Sequence, residues 1–208
     1  MSEKSALIEL LRKRGHAWNP FKIEQYDRVL DLSHSDLSEL DVRGGVNLSF
    51  VNLSYANMKG ANIGGADLSW ANLTGVDLEG ANLFGADLSH AVLQDADLEG
   101  ADLRSANLRC ADLSRADLEN ARLQWSDLTD ANFSRTDLTR ADLSGARVTG
   151  AKFMRAKFRK TNLTEVDLTT VRWHGLVGAK FKAVDFSSAF LDSDTLDRSK
   201  CAEDGDDA

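Results

Sequence analysis

Cysteine is scarce in this chain: Cys110 and Cys201 stand far apart, which excludes a disulfide framework, since that needs more cysteines at tighter spacing. Histidine is scarce too. His16, His34, His90 and His174 share no metal-ligand spacing with cysteines or carboxylates, so no cofactor or metal is expected. Long apolar runs are missing. No stretch approaches the roughly 20 apolar residues of a membrane span. The opening MSEKSALIELLRKRG breaks every apolar run with charge and has no cleavage site. A soluble, cytoplasmic protein is the expectation. Positive charge is in deficit: the formal net charge of -8 argues against direct nucleic-acid binding, because such domains are normally basic. Proline occurs once, as Pro20, and the valine and isoleucine that usually fill strands are few.

What is present is alanine and leucine, which dominate a hydrophobic fraction of 42%. The charged fraction of 28% is ordinary for a folded domain and argues against global disorder. Written in fives from Val46, the chain reads VNLSF, VNLSY, ANMKG, ANIGG, ADLSW, ANLTG, VDLEG, ANLFG, ADLSH and continues in phase to VRWHG at Gly175, twenty-six consecutive repeats. Upstream, LDLSH, SDLSE and LDVRG (30–44) fit the same template one residue out of phase, because of Gly45. Downstream, Leu176, Val177 and Gly178 interrupt before AKFKA and VDFSS resume.

A period of five suits neither regular element. A helix advances about 100° per residue, so each repeat would turn by about 140° and scatter the leucines around the axis. A strand has period two, so every second leucine would face solvent. A short extended segment closed by a corner does fit. The first-place alanine and third-place leucine, two apart, then point inward, while the second and fourth places point out. The fifth place turns the chain, and the glycine frequent there accepts positive φ. Stacked segments would hydrogen-bond at about 4.8 Å.

These repeats resemble the pentapeptide-repeat family over residues 30 to 193. The resemblance implies an all-β solenoid, a right-handed quadrilateral β-helix with four repeats per coil. Twenty-six repeats would then make about 6.5 coils and roughly 31 Å of rise. Three regions are expected: a helical cap over 1–29, the β-helix over 30–193 with its interruption at 176–178, and an acidic, disordered tail over 194–208. Open solenoid ends need covering. In the cap, Ser5 to Arg14 reads as a helix with Leu7, Leu10 and Leu11 on one side and Gly15 as its stop. Asn19-Pro20 reads as the start of a second short helix carrying Phe21, Ile23 and Tyr26, with Trp18 and Phe21 pressed on the first coil. At the other end Phe181, Phe186, Phe190 and Leu191 either close the last coil or form a two-fold dimer contact, as in family members that inhibit DNA gyrase.

With four repeats per coil, residues 20 apart share a column. One face carries Asp77, Asp97, Asp117 and Asp137 at the second place and Glu79, Glu99 and Glu119 at the fourth. That wall is either a mimic of nucleic-acid charge or a generic solvated face. Arg115, Arg135 and Arg155 form another column, with Arg140, Lys152, Lys157, Arg159 and Lys160 nearby. The rod is thus acidic along most of its length and basic near its C-terminal end, which suits an oriented docking surface or solubility with weak ion pairs. Phe50, Trp70 and His90 share a corner column with Cys110 next, and Phe84 and Trp125 lie on the neighbouring face with Arg104 between them. Exposed aromatics beside arginine anchor partners or staple the coils by stacking.

No catalytic arrangement stands out. The glycines mark corners rather than a phosphate loop, and a leucine-filled solenoid leaves no obvious pocket. The expected function is a non-catalytic interaction rod or scaffold for an unknown protein partner. The alternatives are a bacterial DNA mimic that binds DNA gyrase, and a purely structural or regulatory protein. A monomer or a C-terminal-end homodimer is expected, with no membrane contact.

Overall fold

The computed structural model describes residues 3–13, 29–42, 45–171, 179–182 and 189. Its backbone returns beside itself every twenty residues. Parallel bridges join Asn47 to Asp67, Asp67 to Asp87, Asn72 to Val92 and Asp77 to Asp97, and the series continues to Asp142–Asn162. Twenty divided by the repeat length gives four repeats per turn, which the period of five alone could not supply. Four columns of repeats result, here called walls I to IV. They begin at residues 46–50, 51–55, 56–60 and 61–65. Gly45 makes the first step 21 residues, as in Asp31–Asn52. The three extra residues 176–178 make the last step 23, since β1 (Lys157–Arg159) pairs in parallel with β2 (Lys180–Lys182), Lys157 opposite Lys180. Both irregularities are therefore absorbed without loss of column register.

Each repeat uses its backbone groups in the same way. The third-place N–H donates to the second-place carbonyl of the next turn (Leu68 to Asp87, 2.7 Å), and the fifth-place N–H donates to the fourth-place carbonyl there (Trp70 to Ser89, 3.0 Å). The first-place N–H closes a turn on the preceding third place (Ala71 to Leu68, 3.0 Å). Within the described residues of the repeats positive φ falls only on the fifth place, the type II pattern. Non-glycine corners such as Trp70 (φ 61°) and Arg115 (φ 64°) adopt it as well as glycines. The ladder of bonds thus holds ordinary residues in a region they rarely visit.

The fourth-place N–H has no backbone acceptor, and the second-place side chain supplies one. Oδ1 of Asp67 accepts from the Ser69 N–H at 3.0 Å and from its hydroxyl at 2.6 Å, and Asn132 does the same for Ser134. Aspartate or asparagine recurs there because a short side-chain oxygen completes the turn.

Inside, the first and third places form one continuous core of alanine and leucine with Phe133, Phe153 and Phe158. Each fully buried leucine contributes about 1.5–3 kcal/mol. Phe133 and Phe153 stack at 5.2 Å, and Phe158 meets Phe153 edge-on. Three polar first places are satisfied, Ser126 donating to the Leu123 carbonyl, Thr136 to that of Leu113 and Thr161 to that of Leu138, whereas the buried Ser35 hydroxyl has no partner.

Helix α1 (Glu3–Lys13) buries Leu7 and Leu11 against the N-terminal end of this core. Lys4 Nζ donates to the Ser33 carbonyl at 2.8 Å, and Arg12 donates to the carbonyls of Asp36 and Ser38. Leu10 is only partly buried. The second helix expected around Phe21, with Trp18, and the tail over 194–208 lie outside the described residues. No helix among the described residues is long and apolar enough to cross a membrane.

Candidate interaction surfaces

Wall III departs from the other walls. On them no more than two aspartates are successive (Asp67 and Asp87) before asparagine, arginine, lysine or valine intervenes, and an asparagine amide often donates to the oxygen twenty residues earlier (Asn107 to Asp87, 3.0 Å; Asn132 to Asp112, 2.9 Å). On wall III, Asp77, Asp97, Asp117 and Asp137 are four successive bridge partners with no amide between them. Each caps its own turn through Oδ1, to the N–H of Glu79, Glu99, Glu119 and Thr139. The charge therefore lies over a structural role that asparagine would fill equally well. Oxygens of Asp77, Glu79 and Asp97 come within 4.8 Å of one another, and Lys59 relieves the crowding by pairing with Glu79. At the other end Arg140 pairs with Glu119 at 3.0 Å and Lys157 with Asp137 at 2.8 Å.

Beyond Asp137 the same wall becomes basic, with Lys157 and Arg159 in β1 and Lys180 in β2. The corner columns beside it carry Arg135 and Arg155 on one edge and Arg140 and Lys160 on the other. Lys152 extends the patch on wall II, bridged to Asn132. Arg115, in the column of Arg135, is committed to Asp95 through two bonds of 2.6 Å. That guanidinium holds the Asp95 carboxyl below its ordinary value. For Asp137, burial pushes the carboxyl up, but the Lys157 ammonium and the Thr139 hydroxyl and N–H outweigh it, and the balance lies below the ordinary value. Lys157 is raised by its bond to Asp137 and by the field of Asp117 and Glu119. At the change of sign a cleft of about 360 Å³ is lined by Glu119, Asp137, Arg140, Lys157, Arg159 and Lys180.

The third surface is the corner between walls I and II. Phe50 and Trp70 lie parallel at 6.2 Å, and Trp70 and His90 at 4.1 Å. Cys110 follows, exposed. The rings support one another, yet Phe50 and Trp70 remain 56% and 54% exposed, so stacking leaves about half of each available.

Phe84 and Trp125 are arranged differently from the expected stack. Arg104 lies over Phe84, 5.6 Å from its centroid. That column continues to Gln124, whose amide donates to Asp142. Trp125 sits one place on, at the corner, and lies across Gly145, where a Cβ would overlap the indole. A single place decides this, because fourth-place and fifth-place residues occupy separate columns. A second aromatic pair, His34 and Tyr55, stacks at 5.3 Å. Its signal was a spacing of 21, legible once Gly45 is counted into the period. For the C-terminal contact, β2 places Phe181 opposite Phe158; Phe186, Phe190 and Leu191 lie outside the described residues.

The family profile for pentapeptide repeats matches the chain in 8 copies over residues 44–80, 81–120, 116–153 and 140–172. The chain belongs to the pentapeptide-repeat family. Among solved structures it is similar to HetL, a pentapeptide repeat protein involved in heterocyst differentiation regulation from Nostoc sp. (25% identity, covering 81% of this chain and 92% of that one, TM-score 0.34). It is similar to alr5209, a pentapeptide repeat protein from Nostoc (40% identity over 54% of this chain and 78% of that one, TM-score 0.26). It is also similar to trypsin-treated QnrB1, a plasmid-mediated fluoroquinolone resistance protein (16% identity, 83% and 94% coverage, TM-score 0.34). No curated protein matches the chain.

Proposed function

We propose that this chain is a non-catalytic interaction rod, a right-handed quadrilateral β-helix that docks a protein partner through exposed aromatic side chains. The observation that carries this reading is the corner column of Phe50, Trp70 and His90, parallel rings on backbone hydrogen-bonded from turn to turn, with about half of each large ring open to solvent. Rigid aromatics bind with little loss of side-chain freedom and dominate interface energetics. Trp125, 65% exposed on another corner, offers a second anchor. Substituting Trp70 and Trp125 by serine should abolish capture of the partner while the circular dichroism spectrum stays that of the wild type. Undiminished capture by that double variant would overturn the reading.

A second reading is favoured by the unbroken carboxylate ladder of wall III, a line of anions on a narrow rod that imitates a nucleic-acid backbone toward a DNA-binding enzyme such as DNA gyrase. Purified protein should then inhibit gyrase supercoiling, and Glu79→Lys, Glu99→Lys and Glu119→Lys together should remove the inhibition. No inhibition by the wild type would eliminate this reading.

A further inference from the structure

Wall III changes sign along its length, and the change falls in matched rows. Its second-place column runs Asp77, Asp97, Asp117, Asp137, Lys157, Lys180. Its fourth-place column, after Lys59, runs Glu79, Glu99, Glu119, Thr139, Arg159. The Asp137–Thr139 row is the midpoint: acidic rows lie one and two turns before it, basic rows one and two turns after it.

We propose that wall III docks against wall III of a second copy of this chain, rods antiparallel, about a two-fold axis that lies in the interface along the Asp137–Thr139 row. Such an axis keeps each column opposite itself and inverts its direction. Lys157 then faces the partner's Asp117, Arg159 faces the partner's Glu119, and Lys180 faces the partner's Asp97. Symmetry repeats each pairing. At the axis the two Asp137 carboxylates meet, each with its own Lys157 at 2.8 Å. A shift by half a turn would instead set Asp137 against the partner's Asp117, and a parallel arrangement would set acidic rows against acidic rows and basic rows against basic ones. The cleft at the change of sign gives the opposing side chains room to enter. An unrelated acidic or basic partner would match only one half of the wall; a second copy matches both.

This dimer contact contains none of the exposed aromatic residues, so it can fail or hold independently of aromatic docking, and it would cover the carboxylates that gyrase binding needs free. One wall is narrow, below the area of a stable interface, and exposed ion pairs are individually weak and screened by salt. The association is therefore weak and salt-sensitive.

The test is the solution mass of the full chain by light scattering, with Glu119→Lys and Arg159→Glu as single variants. At about 100 µM protein and about 50 mM salt the wild type should show twice the monomer mass, and the monomer mass at about 500 mM salt. Each variant alone should be monomeric at low salt, because like charges then face each other. An equimolar mixture of the two should regain the doubled mass, since the lysine introduced in one variant then faces the glutamate introduced in the other. That recovery excludes misfolding as the cause of the loss. A wild type that stays monomeric at low salt overturns the proposal. So does a dimer that survives in both variants, which would locate the contact elsewhere, or a mixture that stays monomeric.

Discussion

The rings of Trp70 and His90 lie 4.1 Å apart and within 7° of parallel, twenty residues distant in sequence. Trp70 also faces Phe50, so one side chain joins three successive turns at a single corner. Aromatic pairs contribute about 0.5–1.5 kcal/mol beyond burial. Trp70→Ala is therefore expected to cost about 1–2 kcal/mol in urea unfolding, more than Phe50→Ala, which loses one contact. Equal costs would show that the stack contributes nothing and leave the rings to binding alone.

The second-place cap gives a sharper contrast. Asn132 accepts from the N–H and hydroxyl of Ser134 and donates to Asp112. Asn132→Ala should cost about 1–2 kcal/mol, since a lost bond costs about 1 kcal/mol and an orphaned donor more. Arg122, at the second place of wall IV, makes no such cap, and Arg122→Ala should be close to neutral. The two unfolding midpoints, measured side by side, decide whether the repeat's aspartate and asparagine serve the turn.

Glycine corners separate backbone from contact. At Gly100 (φ 66°) an added Cβ meets open space, whereas at Gly145 (φ 66°) it meets the Trp125 indole. Gly100→Ala should cost about 1 kcal/mol through backbone strain alone, and Gly145→Ala clearly more. In a Trp125→Ala background the cost of Gly145→Ala should fall to that of Gly100→Ala.

Acid should destabilise the fold. Asp31 is held at about 2 by the Ser33 hydroxyl and N–H, with Lys4 adding a smaller share. Asp95 and Asp102 are held down by Arg115 and Arg104. A carboxylate whose pKa is depressed on folding stabilises the native state above its unfolded value and loses that contribution as pH falls through the folded one. The thermal midpoint should be level between about pH 8 and 5 and drop below about pH 4. Arg115→Gln should bring the Asp95 carboxyl back toward its ordinary range, read from its carbon chemical shift on titration.

Much of this architecture was legible in residue order. A period of five with alanine and leucine two apart admits neither helix nor plain strand, and the phase slips at Gly45 and at 176–178 could be counted directly. Trp125 shows where reading stopped. Its column is set by one place in the repeat, and its resting surface, Gly145, is known only when the next turn is laid over it. The aspartates of wall III were visible as a column once four repeats per turn were assumed. Their difference from the other walls lay in the asparagine bonds between turns, which are contacts at twenty residues' distance.

Residue order by itself determined the repeat, its inward and outward places, and the sign of charge along the chain, because each follows from side-chain size, polarity and spacing. Only the tertiary structure decided that four repeats close a turn, which rings stack, which carboxylates crowd and which have a cation beside them. Those depend on which backbone hydrogen bonds form between turns, and that pairing places residues twenty apart side by side.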